Sequence, residues 1–308
     1  MITIHAEHIE KSYGDTQALR NVSLSVAKGE LFGLIGPDGA GKTSIIRIFT
    51  TLLLADRGTA TVNGHHVVKE YRNIRKEVGY MPGRFSLYQD LSVEENLRFF
   101  ATAFGTTVEA NYDVIRDIYQ QIEPFRRRRA GALSGGMKQK LALSCALVHR
   151  PEVLFLDEPT TGVDPVSRQE FWQILKGLQN RGITILVSTP YMDEASLCDR
   201  IALIQDGQLL GIDTPAALRD AYPHPLWKIQ SSRRYELLHF LRKQKYTLSA
   251  FPFGETLHLA TRPDAQEHKI RESCYSQGFT DLQLTRIKAT IEDCFMDRMA
   301  TTADPQLH

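Results

Sequence analysis

The stretch "LFGLIGPDGAGKTSIIRIF", Leu31 to Phe49, decides how the rest of the chain is read. It opens on a continuous apolar run, the mark of a strand buried on both faces. It closes on "SIIRIF", whose apolar residues have helical spacing. Between the two, Gly36, Pro37, Asp38, Gly39, Ala40, Gly41, Lys42 and Thr43 fit G-x-x-x-x-G-K-[ST], with Ser44 next in line. Small residues here let backbone N–H groups wrap phosphates, and the helix N-terminus adds a favourable dipole. Lys42 supplies a point charge to the β- and γ-phosphates, and Thr43 a hydroxyl for Mg²⁺.

Two further segments extend this chemistry. "VLFLDEP", Val153 to Pro159, is an apolar strand that delivers Asp157 and Glu158 to the same sheet end as the phosphate loop. Asp157 suits a Mg²⁺ ligand, and Glu158 a general base that polarises the attacking water. "LSGGMKQKLALSCALVHRP", Leu133 to Pro151, joins small residues to a helix N-terminus capped by Ser134, a second anion site. Two half-sites for phosphate in one chain suggest that another subunit completes each. Met137 and the apolar spacing after it read as core packing.

Around these segments, buried strands alternate with helices up to about residue 215. Strands are expected at 1–8, 22–26, in "TATVNG" and in "ITILVST". Helices are expected at 93–104, 112–122, 133–148 and 165–180, with helical spacing continuing from "SIIRIF" into "TTLLL". "IALIQDGQLLGID" reads as a hairpin around Asp206-Gly207. The pattern predicts an α/β domain with a largely parallel core sheet and ligands at the carboxyl ends of its strands. "AYPHPLWKI" marks a seam, so the expected domains are 1–222 and 223–300, with a disordered tail over 301–308. Beyond the seam the order strand, helix, hairpin, helix, strand, helix resembles a split βαβ (ferredoxin-like) sandwich with one extra helix, a small α+β domain.

Composition bounds the function classes. The net charge of +1, with 42% hydrophobic residues, gives no overall electrostatic case for nucleic acid or an anionic membrane. The run Arg126 to Arg129 is a local exception. It reads as a solvated charged face, with a permease loop, lipid phosphates or nucleic acid as alternatives. Cys145, Cys198, Cys274 and Cys294 are scattered and form no C-x-x-C pair, which fits a reducing compartment. The N-terminus lacks signal-peptide features, and no segment approaches the roughly 20 apolar residues of a membrane span. His65 and His66 read as surface residues without ligand partners.

Taken together, the phosphate loop, "LSGGMKQKL", "LFLDEPTTGVD" and the strand ending "VST" resemble the ATP-binding subunits of ABC transporters over roughly residues 2–220. The resemblance implies the ABC type of P-loop NTPase fold, with an antiparallel β subdomain and a helical subdomain beside the parallel sheet. It implies a head-to-tail dimer with two ATP molecules and Mg²⁺ between subunits, ATP hydrolysis coupled to transport, and a place on the cytoplasmic face of the plasma (inner) membrane. Ser134, Gly135 and Gly136 match the signature that reaches the partner's γ-phosphate. Asp164 matches the acid of the loop that crosses the dimer, and Tyr13 in "KSYG" matches the aromatic that stacks on adenine. "LYQDLSVEENL", "STPYMDEASLCDRIALI" and "IEDCFM" look most like the exporter branch, which works with separately encoded ABC-2-type permeases. The transported substrate would then be chosen by another polypeptide.

Two positions depart from the family. Pro190 stands where it has a histidine that contacts the γ-phosphate, and proline offers neither a side-chain donor nor a backbone N–H. Losing one such donor typically costs ~3 kcal/mol, a factor of about 10² to 10³ in rate. Gly83 stands where the family has a glutamine that touches Mg²⁺, and Gln89 lies too far along to replace it. Both losses fall on the half-site around the chain's own ATP, while Ser134 to Gly136 are intact. A heterodimer with a complete ATPase subunit is therefore expected over a homodimer. The rivals are a non-hydrolytic regulatory subunit, and a non-transport ATPase acting on DNA or ribosomes. The latter's usual coiled-coil insertion, zinc cysteines or second cassette are not visible.

Overall fold

The N-terminal alternation folds as two twelve-residue strands, β1 (Ile2–Tyr13) and β2 (Thr16–Ala27), in the computed structural model, which describes residues 1–303. The apolar run that follows is β3 (Leu31–Ile35), buried at every residue. Then come α1 (Lys42–Phe49), β4 (Arg57–Val62), β5 (His65–His66), α2 (Tyr71–Glu77) and β6 (Val78–Met81). Three helices follow, α3 (Val93–Ala103), α4 (Tyr112–Tyr119) and α5 (Gly135–Leu147). After them lie β7 (Val153–Asp157), α6 (Pro165–Asn180), β8 (Thr184–Thr189), β9 (Arg200–Gln205) and β10 (Gln208–Asp213). The chain continues through α7 (Pro215–Asp220), β11 (Leu226–Gln230), α8 (Arg234–Leu241), β12 (Thr247–Phe253), β13 (Thr256–Thr261), α9 (Glu267–Ser276), β14 (Gln283–Ile287) and α10 (Ile291–Ala303).

These elements form two units, Met1–Pro215 with the residues from Arg298 on, and Ala216–Asp297. In the first, six strands run in the order β10-β9-β3-β8-β7-β6. Neighbours from β9 to β6 are parallel, and β10 closes the edge antiparallel. The register decides where chemistry occurs. Ile35 pairs with Thr189, Asp157 with Ser188, and Met81 with Leu156, so four parallel strands end at one level. Gly36, Glu158, Pro190 and Pro82-Gly83 emerge side by side there, which is where open α/β sheets bind ligands. A second, antiparallel sheet, β2-β1-β4-β5, shares one core with it. Ile4 and Val26 pack in that core with Phe32, Phe49, Phe155 and Leu186.

The second unit pairs its strands β12-β13-β11-β14, every neighbour antiparallel. One helix lies between its first two strands in sequence and one between its last two, the interleaving of two βαβ crossovers. Trp227, Ile229, Leu241, Leu259 and Phe279 are in its core, and Trp227 Nε1 donates to Thr261 Oγ1 at 3.2 Å.

Several boundaries differ from the sequence reading. The units part at Pro215/Ala216 rather than 222/223, because the proline stretch belongs to the second unit, where Pro225 O accepts from Thr261 N at 3.0 Å. Helix α1 stops at Phe49 instead of running into "TTLLL". Thr50 Oγ1 bonds back to Ile46 O, and Thr51 turns the chain with φ 62°. Helix α4 ends at Tyr119. Helix α10 continues to Ala303, so the expected disordered tail begins with helix, and 304–308 lie outside the described residues. His65 is not without partners: its Nδ1 lies 3.2 Å from Glu70 Oε1 and its Nε2 3.5 Å from Glu77 Oε1.

In the second unit a buried pair fastens β13 to α10: His258 Nδ1 donates to Asp293 Oδ1 at 2.8 Å, with the Phe253 ring stacked on the imidazole at 4.1 Å. Asp293 also accepts from Thr290 N–H and Oγ1. Burial pushes the Asp293 carboxyl up, but the bonds from His258 and Thr290 outweigh it and hold the pKa below the ordinary carboxylate value. A lowered folded pKa contributes stability above the unfolded value, and that stability is lost as pH falls through the folded one. Wild type should therefore exceed Asp293→Asn in stability at about pH 5, and the gap should narrow toward pH 3. Urea unfolding of both proteins at the two pH values measures it.

Candidate functional site

The phosphate loop takes its shape from close approach. A Cβ at Gly36 would lie 2.1 Å from Ile204 O, so only glycine lets the loop leave β3 against β9. Gly41, the N-cap of α1, has φ 104°, a conformation that L side chains rarely adopt. The first N–H groups of α1, which have no carbonyl one turn back, open toward this loop. Lys42 is buried in it. Its ammonium donates to Gly36 O and Pro37 O at 2.8 Å each and lies 2.9 Å from Glu158 Oε1. Those contacts use all three of its donors. Asp38 stays exposed, while Ala40 is buried and its carbonyl accepts from Gly207 N at 3.0 Å.

The end of β7 meets this loop. Asp157 Oδ1 accepts from Ser188 Oγ at 2.8 Å and from Thr43 Oγ1 at 3.1 Å. Glu158 then turns out of the strand with φ 50°, uncommon for a residue with a side chain. Its N–H is held by Ser188 O and Ser188 Oγ at 3.1 and 3.0 Å. Thus β8 sets the angle at which β7 presents its second carboxylate. Thr43 and Asp157 offer one hydroxyl and one carboxylate oxygen. Among the described residues no group of three or more His, Cys, Asp or Glu side chains could hold a metal. That donor set fits Mg²⁺, which uses one or two carboxylates and shares its remaining positions with water and phosphate.

The other sequence candidates are placed as follows. Tyr13, half exposed, brings its hydroxyl 3.3 Å from Ser44 Oγ, beside the start of α1. Ser134 caps α5, its Oγ accepting from Met137 N at 3.4 Å. Gly135 and Gly136 follow against another segment, a Cβ on Gly136 lying 2.7 Å from Ser167 Oγ. Asp164 caps α6 by accepting from Ser167 N at 3.0 Å, and that bond holds its carboxyl below the usual range. The signature residues and Asp164 therefore sit together around Ser167, while Lys42, Thr43, Asp157 and Glu158 form the other group.

The two departures stand beside this group. Pro190 directly follows β8 and leads into a 3-10 turn, Met192–Leu197. Gly83 lies against Asp157: a Cβ there would stand 2.9 Å from Asp157 O.

Two residues went unassigned in the sequence. Ser188 is the hinge of both acids. Glu194, buried, accepts from Thr160 Oγ1 at 2.9 Å and from Thr189 Oγ1, with Arg168 Nε at 3.7 Å. It joins the loop after Glu158, the end of β8 and helix α6. Only an acid placed shortly after a buried strand, in "STPYMDEA", hinted at it.

Residues 19–161 match the family model described as "ABC transporter". The chain is 39% identical over 307 residues to the Nod factor export ATP-binding protein I of Burkholderia lata (strain ATCC 17760 / DSM 23089 / LMG 22485 / NCIMB 9086 / R18194 / 383), covering 95% of each. The chain belongs to the ABC transporter ATP-binding family. The resemblance read from its motifs is thereby borne out. It is also 40% identical over 287 residues to the "Probable multidrug ABC transporter ATP-binding protein YbhF" of Escherichia coli (strain K12), spanning 92% of this chain but only about half, 49%, of that relative. Among solved structures, an ATP-binding subunit of an ABC transporter superposes with TM-score 0.65 at 26% identity, over 71% of this chain and 93% of that one. A dimeric ATP-binding cassette, MJ0796, bound to ADP and Pi in a post-hydrolysis state, gives 0.62 at 25% identity, over 68% and 98%. The cassette fold is thus that of this family.

Glu194→Gln is expected to lower stability by about 1–3 kcal/mol, because it removes the charge facing Arg168 and replaces one acceptor oxygen by an NH₂, so that one threonine hydroxyl must turn its proton away. Thermal unfolding of the whole chain measures this.

Proposed function

We propose that this chain binds ATP with Mg²⁺ and hydrolyses ATP in a head-to-tail dimer, driving export through a separately encoded ABC-2-type permease. The observation that carries the reading is the meeting of Lys42, Thr43, Asp157 and Glu158 at the carboxyl ends of β3 and β7. Thr43 and Asp157 hold Mg²⁺, which when bound neutralises charge on the phosphates. Lys42 passes from Glu158 to the phosphate oxygens, and Glu158 is freed to take a proton from the attacking water. Tyr13 stacks on adenine, and Gly36 to Ser44 cradle the phosphates. The partner's site is completed by Ser134, Gly135, Gly136 and Asp164. Relatives named for multidrug and Nod factor export support an exporter.

An apolar cleft of about 350 Å³, lined by Leu52, Met81, Leu87, Phe100 and Phe104, supports docking on a membrane subunit at the cytoplasmic face. No helix among the described residues is long and apolar enough to cross a membrane. We further read the site around the chain's own ATP as weakened by Gly83 and Pro190, so that a complete ATPase subunit is the favoured partner. Those two residues also support the second reading, a largely non-hydrolytic regulatory subunit.

ATP turnover by the purified chain, with Lys42→Ala as blank and binding followed in parallel, tests the proposal. Binding with turnover near the blank for the chain alone, restored by a partner subunit, is the expected result; absent binding would overturn it. Pro190→His should raise the chain's own turnover, by up to about 10²-fold, since it returns one donor to a site where charge develops. Unchanged turnover with intact binding would show that the missing donor does not limit this site.

A further inference from the structure

Arg126 to Arg129 are all exposed, yet no guanidinium of the four makes an ion pair or hydrogen bond with a protein group among the described residues. The nearest carboxylate in sequence, Glu123, lines a pocket with Arg126 and Glu94 but makes no ion pair with Arg126, and the two at the start of α3 are engaged elsewhere. Glu94 pairs with Arg98 at 2.6 Å, and Glu95 accepts from Ser92 N at 2.7 Å in the capping box of α3. The backbone beneath the arginines is fixed. Arg128 O and Arg126 O accept from Val93 N and Glu94 N at 3.0 Å each, and Ser92 bridges to Arg129. Four charges, offset only by the field of carboxylates such as Glu95 and by Arg128 resting on the Phe125 ring at 4.5 Å, are therefore displayed on a fixed backbone in a chain whose net charge is only +1. Like charges held adjacent with little counter-charge repel, and an external polyanion relieves that repulsion.

Geometry narrows the class of anion. Ala130 N and Gly131 N donate to Leu91 O and Gln89 O, so the arginine strand runs beside the segment that begins at Tyr88. Tyr88 is 50% and Phe99 44% exposed, their rings meeting edge-on at 4.7 Å. Aromatic rings beside arginines are the composition of a membrane–water interface. Guanidinium forks match phosphate oxygens bidentately. No aromatic alternates with the arginines to stack bases, which disfavours nucleic acid. Leu87, next to Tyr88, lines the cleft assigned above to a membrane subunit, and this orientation rests on that reading.

We propose that Arg126 to Arg129, with Tyr88 and Phe99 beside them, form a contact surface for the anionic phospholipid headgroups of the membrane. Each arginine near such a surface is worth roughly fivefold in partitioning, so the four together give on the order of several-hundred-fold. The test is flotation of the full-length chain, without ATP, on vesicles of phosphatidylglycerol mixed with phosphatidylethanolamine against vesicles of phosphatidylcholine. Association with the anionic vesicles, falling in about 0.5 M salt, and reduced at least about tenfold when all four arginines are changed to Gln, supports the proposal. The Gln variant keeps every backbone bond described, and unchanged ATP binding checks its fold; if it misfolds, Arg127→Gln alone should still lower flotation several-fold. Equal flotation on both vesicles, or equal flotation of variant and wild type, overturns it. So does retention on a polynucleotide or an acidic peptide with no vesicle binding. Because no turnover is read, failure here leaves the ATPase reading standing, and an inactive Lys42→Ala protein should float as wild type does.

Discussion

The level at which four parallel strands stop is the constraint on which the rest depends. Ile35 opposite Thr189 and Asp157 opposite Ser188 bring a glycine loop, two carboxylates and a proline to one line. A slip of one residue between β7 and β8 would turn Asp157 to the other face of the sheet and take Ser188 out of reach of both acids. The apolar burial of β3, β7 and β8 is therefore not only a source of stability. It holds the strands together, and the polar contact at their ends, Ser188 donating to Asp157 at 2.8 Å, matches the register that sets distances at the site.

Most of the fold was legible where local and global signals agree. Helix α6 runs from Pro165 to Asn180 as its spacing predicts, since Asp164 caps it and Pro165 suits its first turn. Where two signals competed, the outcome was hidden. "TTLLL" continues a helical period, yet a threonine with positive φ ends the helix before it. Two prolines look like a linker, yet one carbonyl closes a sheet contact.

The site divides in the same way. Lys42, Thr43, Asp157 and Glu158 lie in short motifs whose residue types announce their chemistry. Ser188 and Glu194 do not, because their importance comes from contacts with residues far away in sequence, and a serine or glutamate alone carries no such mark. Ser134, Gly135 and Gly136 were readable as a capped helix start of small residues. Their association with Asp164 through Ser167 was not, since that depends on how α5 and α6 meet.

Gly83 ties two parts of the site together mechanically. The backbone there has settled so close to the carbonyl of Asp157 that even a methyl group would be crowded. The room a longer side chain would occupy has been taken up, so restoring one requires the loop and the strand end to move apart together. The loop after β6 and the end of β7 are packed as one, so a change at position 83 is felt at Asp157 before any new side chain can act.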